Sequence, residues 1–275
     1  MDSVVLVKYK QDIRRTLEEG LNLLGGFGNL KSPVLVKPNL CTIKDGTGHS
    51  VTDTEVVESI IDLVLEKDSK LSIKIIESDS QSKDAQECFE KFGYTEFCKN
   101  KQESGFNVST LDLSHTPLAK MSFDGEYFKD PKLPEVLTKS HHFISIAVAK
   151  THDLSYITGV MKNLFGVLPR KDMSVYHPKI HEIITDLACI LRPELNIVDA
   201  RVGVEDWNGP MTHKIGAFII GRQPVSVDAV MTKLFELNPR DVNHLVKSSR
   251  HNLGLLEPDI IGEKIEEMSV KFSQP

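Results

Sequence analysis

The sequence predicts an α/β protein in which one or more mainly parallel sheets are covered by helices on both faces. Short apolar runs, such as residues 34–36 and 143–149, alternate with segments whose apolar residues recur at helical spacing. Polar residues directly follow several of these runs, as expected at the carboxyl ends of buried strands. The 275 residues fit either one unit, 1–275, or two Rossmann-like lobes, 1–120 and 140–275, with a cleft between them.

The first half of the chain alternates strand and helix patterns. Strands are predicted at residues 4–7, 34–36, 71–76 and 108–113, and helices at 11–24, 52–67 and 85–92. Thr52 and Glu55 have the spacing of a capping box, in which both side chains bond amides at the helix start. Residues 114–140 have the weakest pattern, and Asp124-Gly125 is suited to turn a small hairpin there.

The second half repeats the alternation. Strands are predicted at residues 143–149, 195–198 and 215–220, with a closing edge strand at 270–272. Helices are predicted from His177-Pro178 onward, where proline suits the first turn, and at 225–237 and 242–250. Residues 203–211 form a loop with glycines near both ends, which is typical of a mobile lid.

The stretch 150–166 is the strongest candidate site. Lys150, Thr151 and His152 follow the apolar run 143–149, and Lys162 and Asn163 come shortly afterwards. Ligands of open α/β sheets bind at the carboxyl ends of strands, so this placement predicts a ligand crevice. His152 is the candidate proton carrier, because nearby lysines favour its neutral form.

Lysines at the buried ends of apolar strands indicate an anionic ligand. Lys37 and Lys150 occupy such positions, and an ammonium group there needs an anion as its partner. Together with Lys162 they are expected to clamp a carboxylate or phosphate. The alternative is that a buried lysine forms a Schiff base with a carbonyl compound.

Further candidates lie at other predicted strand ends and loops. They are Asn39 and Asn163 as orienting amides, Thr52 and Thr151 as hydroxyl donors, and His177, Asp199 and Glu205 as ligand contacts. Glu205 shares its loop with Trp207, the single tryptophan. Glu77, Asp79 and Asp199 are equally suited to cap helices or fill turns, and Asp228 is best explained as a cap of its own helix.

Composition argues against several other classes of function. The net charge is −6 without a basic block, so no nucleic-acid partner is expected. Cys41, Cys88, Cys98 and Cys189 lack clustered spacing, so we expect no disulfide framework and no iron–sulfur cluster from this chain's own cysteines. Without a leader or a long apolar span, the expectation is a cytoplasmic protein with no membrane partner. A metal site built from His152, His177 and a carboxylate is a third reading.

Several segments together resemble the family called domain of unknown function 362. They are Val36-Lys-Pro-Asn-Leu40, Thr52-Asp53, Lys150-Thr-His152, Gly159-Val-Met-Lys-Asn-Leu-Phe-Gly166, Asp199 with Gly209-Pro210, and Pro224-Val-Ser-Val-Asp228. The resemblance implies a redox setting, since many members look like iron–sulfur proteins with a ferredoxin-type cysteine run. This chain lacks that run, and its loop 204–208 departs from the Gly-rich segment expected of the family.

Two functional hypotheses follow. The first is an enzyme of undetermined reaction class that binds a small anionic substrate in a strand-end cleft. The second is a non-catalytic module that docks an iron–sulfur electron-transfer protein or carries a cofactor for one. The sequence leaves open the protein's cofactors, its substrate and its oligomeric state.

Overall fold

The computed structural model describes residues 2–169 and 172–275. Its strands are short except for three long ones near the middle of the sheet, β7, β9 and β10. In chain order the strands are β1 (Ser3–Lys8), β2 (Val34–Pro38), β3 (Ile73–Glu77), β4 (Val108–Asp112), β5 (Leu118–Lys120), β6 (Lys132–Pro134), β7 (His142–His152), β8 (Tyr156–Thr158), β9 (Leu195–Val204), β10 (Thr212–Gly221) and β11 (Asp259–Gly262).

The helices fall between these strands. They are α1 (Ile13–Leu24), α2 (Thr54–Lys67), α3 (Ala85–Lys91), α4 (Tyr94–Glu103), α5 (Glu135–Thr138), α6 (Val160–Asn163), α7 (Ile180–Leu191), α8 (Pro224–Leu234), α9 (Asn243–Ser249) and α10 (Ile265–Met268). Short 3-10 helices occur at Leu113–His115, Leu164–Val167, Met173–Lys179 and Pro239–Asp241. Among the described residues, no helix has the length and apolar character needed to cross a bilayer.

One mixed sheet organises the molecule and confirms the predicted α/β class. Its strand order is β11-β1-β10-β9-β7-β2-β3-β4, with β8 added beside β7. The pairs from β9 through β7, β2 and β3 to β4 are parallel, as is β1 with β11, whereas β10 runs antiparallel to both of its neighbours. The sheet thus combines strands from residues 1–120 with strands from residues 140–275.

Helices cover both faces, because the strands of the sheet present apolar side chains on each side. The face under α1 to α4 is packed by residues such as Leu17, Ile60, Phe89 and Tyr94. The face under α6 to α10 is packed by residues such as Met161, Ile184, Val230 and Leu245. Strands buried on both faces are typical of such doubly covered sheets and explain their continuous apolar runs.

The order of strands reverses between β2 and β7. From β2 the chain adds β3 and β4 on one side, and from β7 it adds β9 and β10 on the other. Such a reversal point is where open α/β sheets form a ligand crevice. Lys37 at the end of β2 and Lys150 near the end of β7 are therefore brought to the same edge of the sheet.

The sequence missed or misplaced several elements. The strand predicted to end at Asp199 continues to Val204 and pairs with β10 as a long hairpin, so Asp199 lies within a strand. The predicted edge strand 270–272 is wrong, and β11 forms that edge beside β1. Helix α4 was missed, since it begins immediately after Gly93, a residue that the sequence suggested as a helix end.

Two predicted helix starts are also wrong. The helix predicted to open at His177-Pro178 begins at Ile180, because those residues belong to a preceding 3-10 helix. The capping box at Thr52 is absent, because Asp53 caps α2 by accepting a hydrogen bond from the Glu55 amide. The Thr52 hydroxyl instead accepts from the Asn39 amide at 2.7 Å and donates to the Ile146 carbonyl at 3.0 Å.

Candidate functional site

A cavity of about 400 Å³ opens at the carboxyl ends of β2, β3 and β7. We call it the strand-end cavity. Most of the residues predicted as a site lie in its wall. They are Lys37, Asn39, Lys150, His152, Lys162, Asn163 and His177. The cavity is therefore built by the two strands that flank the reversal point, together with α6 and the loop after β3.

Lys37 is held in an internal ion-pair network. Its Nζ atom lies 2.6 Å from Glu77 Oε2 and also donates to the Pro38 carbonyl at 2.7 Å. Lys83 approaches the other oxygen of the same carboxylate at 3.0 Å and donates to the Ser78 carbonyl. Burial lowers the pKa of Lys37 to about 8, and the carboxylate of Glu77 opposes this shift. The sequence predicted Lys37 as a ligand clamp; in the structure it lines the cavity and its anionic partner within the protein is Glu77.

Asn163 fastens α6 to the end of β2. Its amide nitrogen donates to the Lys37 carbonyl at 2.9 Å and to Ser145 Oγ at 3.1 Å, and its side-chain oxygen accepts from Lys37 Nζ at 3.2 Å. These bonds occupy the amide group that we predicted would orient a ligand. Asn163 therefore holds the neighbouring Lys162 in place across the reversal point.

Lys150 is a fixed and fully buried ammonium group. Its Nζ atom donates to the carbonyls of Ser50 and Trp207, at 2.9 and 3.0 Å, and lies 3.3 Å from Cys41 Sγ. These contacts occupy the three N–H donors of the ammonium group. Lys150 thus places a positive charge in the cavity wall and joins the Trp207 loop to the loop around Ser50.

Lys162 is in a different situation. Its Nζ atom lies 5.3 Å from the centre of the Phe165 ring. Within the part of the chain that the structure describes, no carboxylate oxygen lies within 4.0 Å of this atom and no acceptor forms a hydrogen bond with it. Burial, together with the charge of Lys150, lowers the pKa of Lys162 to about 8. Lys162 therefore enters the cavity as a cation without a partner among the described residues.

His152 is a neutral imidazole in the cavity wall. Burial lowers its pKa to about 2, and the charges of Lys162 and Lys150 act in the same direction. Its Nδ1 atom lies 3.1 Å from the Leu154 amide, which favours a proton on Nε2, and 2.8 Å from Asp153 Oδ1, which favours a proton on Nδ1. The two contacts favour different tautomers of the neutral ring, in which one nitrogen donates a hydrogen bond and the other accepts one.

Two buried hydroxyl groups in the cavity wall have no hydrogen-bond partner among the described residues. They are Thr158 Oγ1 and Ser78 Oγ, on residues that are 5% and 0% exposed. A buried hydroxyl without a partner is unfavourable by about 1–3 kcal/mol, so such groups usually face water or a ligand. Because they line the same cavity as Lys162, these hydroxyls make it suited to a polar ligand.

The carboxylate of Asp228 fixes the start of α6, the helix that carries Lys162. The Asp228 carboxylate accepts hydrogen bonds from the backbone amides of Val160 and Met161, at 2.8 and 3.0 Å. A side chain at Gly159 would overlap this carboxylate, so only glycine fits there. Burial raises the pKa of Asp228 to about 7 although both amides oppose the shift. The prediction that Asp228 caps its own helix is therefore wrong, since it binds the start of α6.

Four predicted residues lie outside the cavity wall. Thr52 supports the Asn39 turn, as described above, and Thr151 Oγ1 accepts a hydrogen bond from the Asp206 amide at 2.8 Å. Asp199 pairs with Arg201 at 2.7 Å, and Glu205 pairs with His213 at 2.9 Å and accepts from the Ser273 amide. Because these side chains already have internal partners, the structure gives them supporting positions around the site.

Some residues of the cavity wall were not singled out from the sequence. They are Lys83, Phe165, Ser78, Ser80, Gln81 and Ser82. The available signal was the dense polar run directly after β3, which resembles the run after β7. Asp79, Thr158 and Trp207, which the sequence placed at a strand end, in the candidate stretch and in the predicted lid, also line the cavity, and Thr158 is brought opposite Lys150 by the hairpin between β7 and β8.

The described residues contain no group of three His, Cys, Asp or Glu side chains placed to share a metal ion. His177 lies at the exposed rim of the cavity, whereas His152 is buried in its wall. The reading of a metal site on these two histidines and a carboxylate thus has no support in the described geometry. Among the described residues, the cavity wall offers a lysine without a hydrogen-bond partner, a neutral histidine, two unpaired hydroxyls and the carboxylates of Glu77, Asp79 and Asp153.

Comparison with known proteins places the cavity within a matched segment. The family model described as Domain of unknown function (DUF362) matches residues 34–233. A protein described as thylakoid-associated protein sll1697, from Synechocystis sp. (strain ATCC 27184 / PCC 6803 / Kazusa), is 25% identical over 253 residues, which cover 86% of this chain and 73% of that protein.

One solved structure, the lactate racemase apoprotein from Thermoanaerobacterium thermosaccharolyticum, aligns with a TM-score of 0.49 at 11% sequence identity. The alignment covers 86% of this chain, and the chain spans 58% of the length of that racemase.

Proposed function

This chain belongs to the family of domains of unknown function 362, whose description names no activity, and we propose from its geometry that it binds a small anion in the strand-end cavity. The ligand is a carboxylate or a phosphate. An enzyme acting on that anion is the favoured form of the proposal, because a neutral histidine lines the same cavity.

The observation that carries the proposal is the ammonium group of Lys162. Charges removed from water are normally paired, and the half-buried charge of Lys162 has no carboxylate within 4.0 Å among the described residues. Lys150, whose donors are all used, adds a second positive charge to the same wall. An anion that enters the cavity would therefore find a free donor at Lys162 within a positive electrostatic field.

The unpaired hydroxyls and the histidine add to this support. Thr158 Oγ1 and Ser78 Oγ can donate to an anionic oxygen, which would give each of them a partner. His152 is neutral at ordinary pH because of burial and nearby lysines, so its ring can form a hydrogen bond with a bound ligand without adding charge. We assign ligand binding to Lys162, Thr158 and Ser78, and a hydrogen bond to the ligand to His152.

The test is a titration of the full chain with propanoate and with inorganic phosphate. Trp207, the single tryptophan, lines the cavity and reports binding by its fluorescence. Replacing Lys162 by Met should weaken binding by about tenfold to a hundredfold, because a hydrogen bond to a charged group contributes about 1.5–3 kcal/mol. Circular dichroism should show an unchanged fold.

Lys179→Met is the matched control. Lys179 is exposed and lies outside the cavity wall, so its replacement should leave the affinity unchanged. Equal binding by the wild type and Lys162→Met would show that Lys162 does not hold the anion. Absence of binding of both probes to the wild type would contradict the proposal itself.

A docking role for an iron–sulfur protein is the second candidate. It is favoured by exposed apolar side chains at Leu154 and Trp207 on the mouth of the cavity, and at Met211 in the same loop as Trp207. Exposed groups of this kind at a cleft are typical of contact surfaces. Mixing the chain with a ferredoxin-type protein and measuring co-elution would test it, and replacement of Trp207 and Met211 by Ser should abolish any complex.

A further inference from the structure

The side chain of Lys162 has the surroundings of a reactive amine. It lies against the ring of Phe165, in a half-buried position, and close enough to Lys150 to be affected by its charge. Lysines become nucleophiles in proteins when they are desolvated in an apolar pocket or placed beside another cation. The second condition holds here through Lys150, the Phe165 ring supplies an apolar surface beside the amine, and no described side chain hydrogen-bonds to it.

The other lysines of the cavity lack this freedom. The three N–H donors of Lys150 are used by two carbonyls and Cys41, and those of Lys37 by Pro38, Glu77 and Asn163. Lys83 is paired with Glu77. These bonds use the N–H groups of each ammonium and hold its nitrogen in place, so it is not free to approach a carbonyl carbon. Amine chemistry in this cavity is therefore expected at Lys162.

We propose that Lys162 forms a Schiff base with a small anion that also carries a carbonyl group, such as a 2-oxo acid. This inference rests on the proposed function, because the anion must first be held in the cavity. It adds the substrate class and a covalent step to that function.

The step is balanced as follows. The ammonium group of Lys162 gives a proton to water, and the free amine adds its electron pair to the carbonyl carbon. The resulting carbinolamine loses the former carbonyl oxygen as water, which carries away the two protons of the amine nitrogen. A C=N bond thus replaces the C=O bond. No oxidant or reductant is consumed. The carboxylate of the ligand remains in the field of Lys150, whose charge is fixed by its own partners.

The ionisation of Lys162 agrees with this chemistry. Its pKa is lowered to about 8 from the usual 10.5, so at pH 8 it holds on the order of a hundredfold more neutral amine than an ordinary lysine. His152, with a pKa lowered to about 2, stays neutral at this pH and adds no positive charge that would compete with Lys162 for the anion.

The experiment is reductive trapping with the full chain at pH 8. The probes are pyruvate, glyoxylate and phenylpyruvate, each with sodium borohydride, followed by peptide mapping by mass spectrometry. Borohydride delivers hydride to the imine carbon and gives a stable secondary amine. The expected adduct adds the mass of the probe minus one oxygen atom and is located on Lys162. Propanoate, which lacks the carbonyl group, is the control probe and should give no adduct.

Two variants separate this inference from the proposed function. Lys162→Arg keeps a positive charge but cannot form an imine, so its adduct should fall by at least about tenfold, whereas its propanoate affinity should stay above that of Lys162→Met. Lys179→Arg should bind and trap like the wild type. The Schiff base is supported if the wild type and Lys179→Arg are both labelled at Lys162 and the labelling is lost in Lys162→Arg.

The remaining outcomes overturn one proposal or both. If the wild type binds propanoate but none of the three probes is trapped on Lys162, the Schiff base is wrong and the anion site stands. If adducts are spread over exposed lysines without preference for Lys162, the Schiff base is again wrong. If neither propanoate nor phosphate binds and no probe is trapped, both the site and the inference fail.

Discussion

Two pairs of lysines line the same cavity, and they differ in whether a carboxylate lies next to them. Lys37 and Lys83 share the carboxylate of Glu77, at 2.6 and 3.0 Å. Lys150 and Lys162 have no carboxylate within 4.0 Å among the described residues. The first pair is an internal ion-pair network that holds β2 to the loop after β3. The second pair leaves uncompensated positive charge, which is what a site for an anion needs.

The comparison shows that burial of a lysine does not by itself indicate a ligand. Lys37 and Lys162 both have a pKa lowered to about 8, and burial is the first cause in each. They differ in their partners, because Lys37 uses all its donors within the protein and Lys162 uses none with the described residues. The partner therefore decides whether a buried lysine is structural or available.

Removing the carboxylate between the first pair should have the largest effect. Glu77→Gln leaves two buried ammonium groups without their anion, and breaking a buried ion pair on one side costs about 3–5 kcal/mol. We expect the free energy of unfolding to fall by about that amount in a denaturant titration. Glu19→Gln, which removes an exposed partner of Lys10, should change it by less than about 1 kcal/mol. A loss for Glu77→Gln no greater than for this surface control would mean that the network is not needed for stability.

The second pair should respond to pH through Lys162. Anion binding needs the ammonium form, so propanoate affinity should be constant below about pH 8 and fall about tenfold for each further pH unit. The carboxylate of propanoate stays charged over this range, and His152, with its pKa lowered to about 2, adds no inflection near neutrality. Fluorescence titrations between pH 6 and 10 measure this profile. In Lys162→Arg the decline should disappear, and a decline that persists would point to another group.

The smallest effect is expected at the unpaired hydroxyl of Thr158. Thr158→Val keeps the shape of the side chain but removes the donor to the ligand, so affinity should fall by about 0.5–1.5 kcal/mol. Stability should stay equal or rise, because an unpaired buried hydroxyl is removed. Thr185→Val is the opposite control, since Thr185 bonds Ser248 at 3.1 Å away from the cavity. Thr185→Val should lower the melting temperature without changing the affinity. If Thr158→Val gives this same result, Thr158 does not contact the ligand.

Much of the architecture was predictable, because buried strands and amphipathic helices leave strong local patterns. The runs before Lys37 and Lys150 identified two strands and the edge where their polar ends meet. Asp199 shows the limit of this reasoning. The apolar run stops at that residue, yet the strand continues to Val204 because β10 supplies hydrogen bonds along the whole hairpin. Strand length there depends on a partner far along the chain, which a local pattern does not contain.

The sequence by itself determined the α/β class, the polar residues at strand ends and the family to which the chain belongs, because these follow from local periodicity and short motifs. Only the tertiary structure decided which lysine is available. Glu77 lies 40 residues from Lys37 along the chain and neutralises it, whereas Lys150 is held by carbonyls from the Ser50 and Trp207 loops. Lys162 receives no such partner from the described residues. Electrostatic pairing acts through space over a few ångströms, so it is set by the folded arrangement of distant segments.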